Sequence, residues 1–233
     1  MTIELTNISK AFEREVLKNF TLKIPEGEFL GIKGESGSGK TTLLNIIGAI
    51  EEVDSGRVRL DNLDYTQLSA KEQIKLYRKQ ISFVFQNFGL LENESIRKNL
   101  SLVLKIKKVP KKTWEDKIQE VLDQVNLGYL NLEIKPHALS GGEQQRVALA
   151  RTILSNNPII LADEPTGSLD DQNGDLVMNI LKQMNESGKT IVVVTHTDRF
   201  DSIFKKIVHL EKNTDGTLTE SKDRKSPVAP SGD

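Results

Sequence analysis

The chain has 233 residues, of which 37% are hydrophobic and 28% charged, a balance typical of a globular protein that buries a sizeable core. Its formal net charge of −1 argues against a nucleic-acid-binding protein, because such proteins usually carry a basic excess. The sequence contains no cysteine, which excludes disulfides and thiolate metal sites and fits a reducing compartment.

The N-terminal segment MTIELTNISK has neither the basic lead nor the apolar stretch of a signal peptide. The longest apolar runs have the length of strands and fall far short of the ~18 residues that cross a bilayer. We therefore expect another chain to supply any membrane-spanning part.

The first third of the chain has the pattern of strands followed by a helix. Apolar and polar residues alternate over residues 3–5 and 20–24, which predicts half-buried strands. The apolar residues 29–32 lead into a glycine-rich turn and an apolar helix over about residues 40–50, and residues 57–60 predict another short strand.

The middle of the chain is predicted to be largely helical. Ser69 and Glu72 have the spacing of a capping box at the start of a helix. After a strand over residues 81–85, residues 94–126 show helical periodicity.

Strands and helices alternate again from Glu143 onward. Residues 159–163 and 190–195 are apolar on both faces, as expected at the centre of a covered parallel sheet, and Gly188 lies where a helix C-cap is expected. From about Asn213 the sequence is polar, and we predict a flexible tail over residues 213–233.

Residues 34–41 match the phosphate-binding pattern G-x-x-x-x-G-K-[ST], after an apolar strand and at the start of a helix. Glycines let the backbone fold around phosphate, and the helix adds the positive end of its dipole. Lys40 is expected to bridge the β- and γ-phosphates, and the Thr41 hydroxyl to bind Mg²⁺. The alternative is a glycine-rich hinge without function. The predicted phosphate-binding residues are Gly34, Ser36, Gly37, Ser38, Gly39, Lys40, Thr41 and Thr42.

Two carboxylates end the apolar strand of residues 159–163. Asp163 is expected to hold Mg²⁺ directly or through water, and Glu164 to act as the general base that polarises an attacking water. Taken alone, this segment is equally compatible with an acidic turn that caps the next helix.

A second small-residue turn, Ser140, Gly141 and Gly142, opens the helix over residues 143–155 and offers another anion site. One nucleotide does not need two phosphate cradles in one subunit, so we predict that this turn closes on a nucleotide held by a second copy. The alternative is an ordinary glycine-containing N-cap. The segment LSGGEQQR resembles the signature motif of the ATP-binding-cassette (ABC) superfamily, which acts across a two-fold dimer in that family.

The resemblance covers residues 12–210 and implies further roles, position by position. Gln86 matches the glutamine that contacts Mg²⁺ and senses the membrane partner, Asp170 the loop that links the two sites, and His196 the switch histidine at the γ-phosphate. Gln144, beside the signature turn, is included among the nucleotide ligands. Phe12 occupies the place of the adenine-stacking aromatic, where the family more often has Tyr, and the alternative for it is a core phenylalanine.

The resemblance also implies the fold and the mode of action. We expect an α/β fold: a P-loop NTPase (RecA-like) core, an antiparallel β subdomain and an inserted α-helical subdomain over about residues 87–138, together spanning residues 1–212. It implies an ATPase that uses ATP and Mg²⁺, works as a homodimer, and drives a separate transmembrane permease from the cytoplasmic face of a membrane, in a cell that we expect to be bacterial.

Residues 43–48 and 163–170 look most like the MacB, lipoprotein-release (LolD) and cell-division (FtsE) branch. Residues 85–94 are similar to subunits of bacteriocin exporters of the lactococcin type. Peptide-resistance pumps share much of this sequence pattern. The competing class is a non-transport ABC ATPase, either of the iron–sulfur assembly type or a cell-division scaffold.

Overall fold

The computed structural model describes residues 1–35, 37–212 and 218–220. In these residues the strands are β1 (Ile3–Ala11), β2 (Glu15–Ile24), β3 (Phe29–Lys33), β4 (Ser55–Leu60), β5 (Leu63–Asp64), β6 (Ile81–Val84), β7 (Ile159–Asp163), β8 (Thr190–Val194), β9 (Lys206–Lys212) and β10 (Leu218–Glu220). The helices are α1 (Lys40–Ile47), α2 (Ala70–Lys79), α3 (Ile96–Ile106), α4 (Trp114–Gln124), α5 (Gly141–Ser155) and α6 (Asp171–Glu186), with short 3₁₀ turns at Lys111–Thr113, Pro136–Ala138 and Asp201–Ile203.

The strands follow the spatial order β5-β4-β1-β2-β10-β9-β3-β8-β7-β6. One half, made of β1, β2, β4 and β5, is antiparallel. The other half, β9-β3-β8-β7-β6, is parallel. The predicted α/β fold with an antiparallel β subdomain is therefore confirmed.

Burial follows the sequence pattern in both halves. The alternating apolar residues of β1 and β2, such as Ile3 and Leu22, point into one core that also contains the apolar face of α1. The parallel strands β3 and β8 are buried at every residue, because helices cover both faces of the sheet. The second core joins this sheet to α5, α6 and the inserted helices α3 and α4.

Two of the predicted helix boundaries move in the structure. Helix α1 ends at Ile47 rather than Ile50, because Gly48 caps it and Ala49 takes a positive φ of 54°. Gly48 permits a close crossing, since a Cβ there would lie 2.0 Å from the ring of Phe83. Helix α5 begins at Gly141 rather than Glu143, because a capping box starts it two residues earlier.

Other predicted helix signals are confirmed. Ser69 and Glu72 form the expected capping box of α2. Gly188 lies just beyond α6 with a φ of 94°, a conformation that glycine adopts without steric cost. None of the helices within the described ranges combines the length and the apolar character needed to cross a membrane.

The short strand β10 lies inside the segment predicted to be a flexible tail. It pairs antiparallel with β9 and parallel with β2, so it joins the two halves of the sheet. Pairing between two strand edges satisfies backbone donors and acceptors and needs no apolar side chains, so the polar composition gave no sign of it. Residues 213–217 and 221–233 lie outside the described residues, and flexibility there stays a prediction.

Candidate functional site

A cavity of about 1230 Å³ lies at the carboxyl ends of the parallel strands. The loops that follow β3, β6, β7 and β8 all reach it, which is where open α/β sheets bind ligands. Its lining consists of Phe12, Glu13, Arg14, Val16, Gly37, Ser38, Gly39, Lys40, Thr41, Thr42, Gln86, Glu164, Val194 and His196.

The loop between β3 and α1 presents donors to this cavity. Gly39, the N-cap of α1, has a left-handed φ of 79°, and no side chain of the described residues caps the helix. The first backbone N–H groups of α1 are therefore available to an anion. The Ser38 hydroxyl is buried and has no hydrogen-bond partner among the described residues, as expected of a group that binds a ligand.

Lys40 is buried, and its ammonium donates to the carbonyl oxygens of Gly34 and Glu35 at 2.8 Å each. The positive charge of Lys40 therefore lies inside the loop that is predicted to surround the phosphates. Gly34 is required there, since a Cβ would lie 2.7 Å from the Leu210 carbonyl oxygen and 2.8 Å from the Ser38 hydroxyl. Ser36, also predicted to bind phosphate, lies outside the described residues.

Asp163 and Thr41 form the candidate Mg²⁺ site. The Thr41 hydroxyl donates to Asp163 Oδ1 at 3.2 Å, so the two oxygens lie on the same side of the phosphate loop. Burial raises the pKa of the Asp163 carboxyl, and the Thr41 hydrogen bond opposes that shift.

Oxygen ligands suit Mg²⁺, which takes most of its octahedral shell from phosphate and water. Accordingly, the described residues contain no group of three or more His, Cys, Asp or Glu that could hold a metal by themselves.

Glu164 occupies a strained position beside the cavity. Its φ of 44° is unusual for a non-glycine residue, and it is maintained by hydrogen bonds from Glu164 N to Val194 O and from Gly167 N to Glu164 O. Glu164 Oε1 lies 2.9 Å from His196 Nδ1, whereas Oε2 is buried without a partner among the described residues. A buried carboxylate oxygen with free acceptor capacity fits the binding of a water molecule.

Phe12 lies at the rim of the cavity with 57% of its surface exposed, so the alternative of a core phenylalanine is wrong. The Lys10 ammonium lies 5.0 Å from the centre of its ring. Because more than half of Phe12 is exposed, the ring can still stack on a flat ligand.

Gln86 lines the cavity in the turn that follows β6, on the exposed surface. Arg151, which the sequence analysis missed, holds this turn to α5: its guanidinium donates to the Gly89 carbonyl and, at 3.2 Å, to that of Phe88. The one local sign was an arginine within the otherwise largely apolar stretch of residues 147–154.

The signature turn does not reach the cavity. Ser140 is the N-cap of α5: its hydroxyl donates to Glu143 Oε2 at 2.7 Å and accepts from Glu143 N at 3.3 Å. Glu143 Oε1 accepts from the hydroxyl of the exposed Tyr129 at 2.8 Å, a contact that sequence patterns did not indicate. Gln144 donates to the Leu139 carbonyl at 3.1 Å.

Asp170 lies next to this turn instead. It caps α6 by accepting from Asn173 N at 2.9 Å and from Asn173 Nδ2 at 2.7 Å. A Cβ on Gly142 would lie 2.3 Å from Asn173 Oδ1, and one on Gly141 would lie 3.8 Å from Leu169. The signature turn and Asp170 therefore form a second surface, which we call the signature surface (Ser140, Gly141, Gly142, Gln144 and Asp170).

The predicted site residues thus fall into two groups. The structure brings Phe12, Gly37, Ser38, Gly39, Lys40, Thr41, Thr42, Gln86, Glu164 and His196 around one cavity, with Asp163 bonded to Thr41 and Gly34 to Lys40. The five residues of the signature surface are absent from the lining. The predicted ligand residues of one copy therefore lie on two separate surfaces.

The chain is similar to known proteins over most of its length. The sequence model of the ABC transporter family matches residues 17–167, more than half of the chain. The chain is 42% identical over 218 residues to an uncharacterized ABC transporter ATP-binding protein, MJ0796, of Methanocaldococcus jannaschii, covering 90% of this chain and 93% of that one. It is 38% identical over 201 residues to the bacitracin export ATP-binding protein BceA of Halalkalibacterium halodurans, covering 83% and 79%.

A third relative is longer. The macrolide export ATP-binding/permease protein MacB of Campylobacter jejuni is 42% identical over 212 residues, covering 90% of this chain but 33% of MacB, so the chain spans about a third of that protein. Among solved structures, a post-hydrolysis dimer of MJ0796 bound to ADP and Pi superimposes with a TM-score of 0.85 at 40% identity, covering 96% of this chain and all of that one.

Proposed function

Since the chain belongs to the ABC transporter family and is an ATP-binding and ATP-hydrolysing cassette, we propose that two copies close around two ATP molecules and drive a separate membrane permease. The observation that carries this proposal is the division of the predicted ATP ligands between the cavity and the signature surface. A two-fold dimer brings the signature surface of one copy to the cavity of the other, twice.

Binding begins in the cavity. Phe12 stacks on adenine, and the N-terminus of α1 with the Ser38 hydroxyl receives the phosphates. The Lys40 ammonium exchanges its two carbonyl acceptors for phosphate oxygens. Asp163, Thr41 and Gln86 are the residues that would hold Mg²⁺, whose charge offsets that of the phosphates when it is bound.

Hydrolysis depends mainly on positioning and charge stabilisation. Glu164 accepts a proton from the attacking water through Oε2, which has no partner in the part of the chain that the structure describes, while its Oε1 is held by His196. His196 and Lys40 stabilise charge at the γ-phosphate. The signature turn in the second copy contacts the γ-phosphate. Release of that phosphate therefore removes the bridge between the copies, and the dimer opens.

The opening and closing of the dimer is the mechanical output. We place the subunit on the cytoplasmic face of the cell membrane, bound to its permease. The names of MacB and BceA favour export of an antimicrobial or peptide. The resemblance to the MacB branch offers a second possibility, transmission of force to a permease with an extracytoplasmic domain. Purification from native membranes with mass spectrometry tests this: a co-purifying permease supports it, and purely soluble companions favour the iron–sulfur assembly or cell-division class.

The sandwich itself is testable by disulfide cross-linking, because the chain has no cysteine. Two differently tagged Glu164→Gln copies would carry Glu35→Cys in the exposed part of the phosphate loop and Ser140→Cys, respectively. We expect a covalent dimer of both tags in the presence of ATP and none without it, since a disulfide requires Cα atoms within about 7 Å. Intact ATP binding without cross-linking would contradict the sandwich, and two Glu35→Cys copies are the matched control.

A further inference from the structure

The most unusual charge outside the cavity is the ammonium of Lys33. This residue ends β3, a strand that is buried at all five positions, and its side chain is only 3% exposed. Burying an unpaired ammonium costs several kcal/mol. The lysine directly precedes Gly34, the first residue of the phosphate loop.

Two carboxylates compensate this charge, and both come from one loop. Lys33 Nζ lies 2.6 Å from Asp198 Oδ1 and also contacts Asp201. The side chains of Asp198 and Asp201 are 87% and 41% exposed, so the pairs bring two surface carboxylates onto a buried cation. We define residues 195–201 as the switch loop, since they carry His196.

The switch loop starts beside Lys33 as well. Thr195 N donates to the Ile32 carbonyl at 3.0 Å, which places the end of β8 against the end of β3. His196 follows at once, 2.9 Å from Glu164 Oε1, and Asp198 comes two residues later. Lys33 thus ties the strand that feeds the phosphate loop to the loop that carries the histidine.

We propose that Lys33 is a positioning residue that fixes the switch loop through Asp198 and Asp201 and thereby holds His196 against Glu164. Replacing Lys33 by methionine, which has a similar length but no charge, allows the switch loop to adopt a second conformation, because Asp198 is then hydrated on the surface. The fold should survive, since Asp198 and Asp201 are both partly exposed, Asp201 can turn its buried Oδ1 toward water, and Arg199 still anchors the loop to Asp175 of α6 at 2.7 Å.

The test compares Lys33→Met with the wild type at saturating Mg²⁺ and ATP, and it rests on the proposed function. We expect kcat to fall about tenfold or more, with less than about a threefold change in KM, because misplacement by about 1 Å has effects of this size. The matched control is Lys205→Met. Lys205 lies at the far end of the connection between β8 and β9, and its ammonium donates to the Gly27 carbonyl at 2.8 Å. Its kcat should stay within about twofold of the wild type.

The proposal also predicts that the two changes are not additive. In a His196→Ala background, Lys33→Met should lower the remaining turnover by less than about twofold, because the histidine through which Lys33 acts is absent. An equally large further loss would overturn the proposal, as would a wild-type kcat for Lys33→Met. If Lys33→Met does not fold, Asp198→Asn replaces it in the same cycle, since Lys33 then keeps Asp201.

A histidine-ring NMR spectrum separates this proposal from the proposed function. We expect the ring signals of His196 to move in Lys33→Met while those of His137, outside the switch loop, stay in place. Unchanged His196 signals would overturn the role of Lys33 whether or not the protein hydrolyses ATP. Absence of Mg²⁺-dependent ATPase in the wild type would instead contradict the proposed function.

Discussion

Replacement of Glu164 by glutamine tests the proposed general base most directly. Glutamine has the same shape and its Oε1 still accepts a hydrogen bond at the position that lies 2.9 Å from His196 Nδ1. The change therefore removes the proton acceptor at the second oxygen, which is buried without a partner among the described residues, and leaves the surrounding contacts intact. The positive φ of 44° stays supported by the backbone hydrogen bonds on either side.

The size of the effect follows from the role. A positioned general base contributes about 10²- to 10⁴-fold, equivalent to about 2.7–5.4 kcal/mol of activation free energy. ATP binding should be retained or strengthened, since the Glu164 charge no longer faces the phosphates. The same charge helps to raise the pKa of Asp163, after the larger effect of burial, so its removal also favours an ionised Mg²⁺ ligand.

The assay is phosphate release at saturating Mg²⁺ and ATP, with light scattering after gel filtration to detect an ATP-dependent dimer. We expect turnover to fall at least about a hundredfold while the dimer accumulates. The control is Glu133→Gln, the same chemical change at a surface residue that pairs with Arg97, which should leave turnover unchanged. Turnover of Glu164→Gln within about tenfold of the wild type would refute the general-base role.

Three further predictions follow from the site. Gly142→Ala places a Cβ 2.3 Å from Asn173 Oδ1, so we expect about 1–3 kcal/mol of lost stability in urea unfolding and loss of ATP-dependent dimerisation with normal ATP binding by the monomer. Asp163→Asn should abolish Mg²⁺-dependent hydrolysis yet raise the free energy of unfolding at pH 8. Because burial raises the pKa of Asp163, the ionised form opposes folding above that pKa, and the gain should vanish as the pH falls below it. Phe12→Ala should weaken ATP binding by about 1–3 kcal/mol in calorimetry, the usual contribution of stacking on a base, while Phe12→Trp retains binding. An unchanged Kd for Phe12→Ala would contradict the stacking role, and because the ring is 57% exposed the unfolding free energy should not change.

Short-range patterns in the sequence predicted much of this protein correctly. The capping box of α2 depends on residues three apart, and the buried strands on alternation or on continuous apolar runs. The phosphate loop, Asp163 and Glu164 follow strands whose carboxyl ends meet at one sheet edge, so their convergence on one cavity follows from the βα pattern. These signals depend on residues close together in the sequence, so they act in the same way wherever the segment lies in the fold.

Interactions between distant residues were decided by the tertiary structure alone. Lys33 and Asp198 are 165 positions apart, and Arg151 reaches Phe88 across 63, so no spacing rule announces either contact. The strand β10 formed because two sheet edges offered unpaired backbone groups, although its own composition is polar. The nucleotide chemistry could be predicted from the sequence, since it depends on residue types at short spacing. The sequence predicted that the signature turn serves a second copy, but the direction of α5 is set by packing against helices and strands far away in sequence, and this packing keeps the signature surface out of the cavity lining of its own chain.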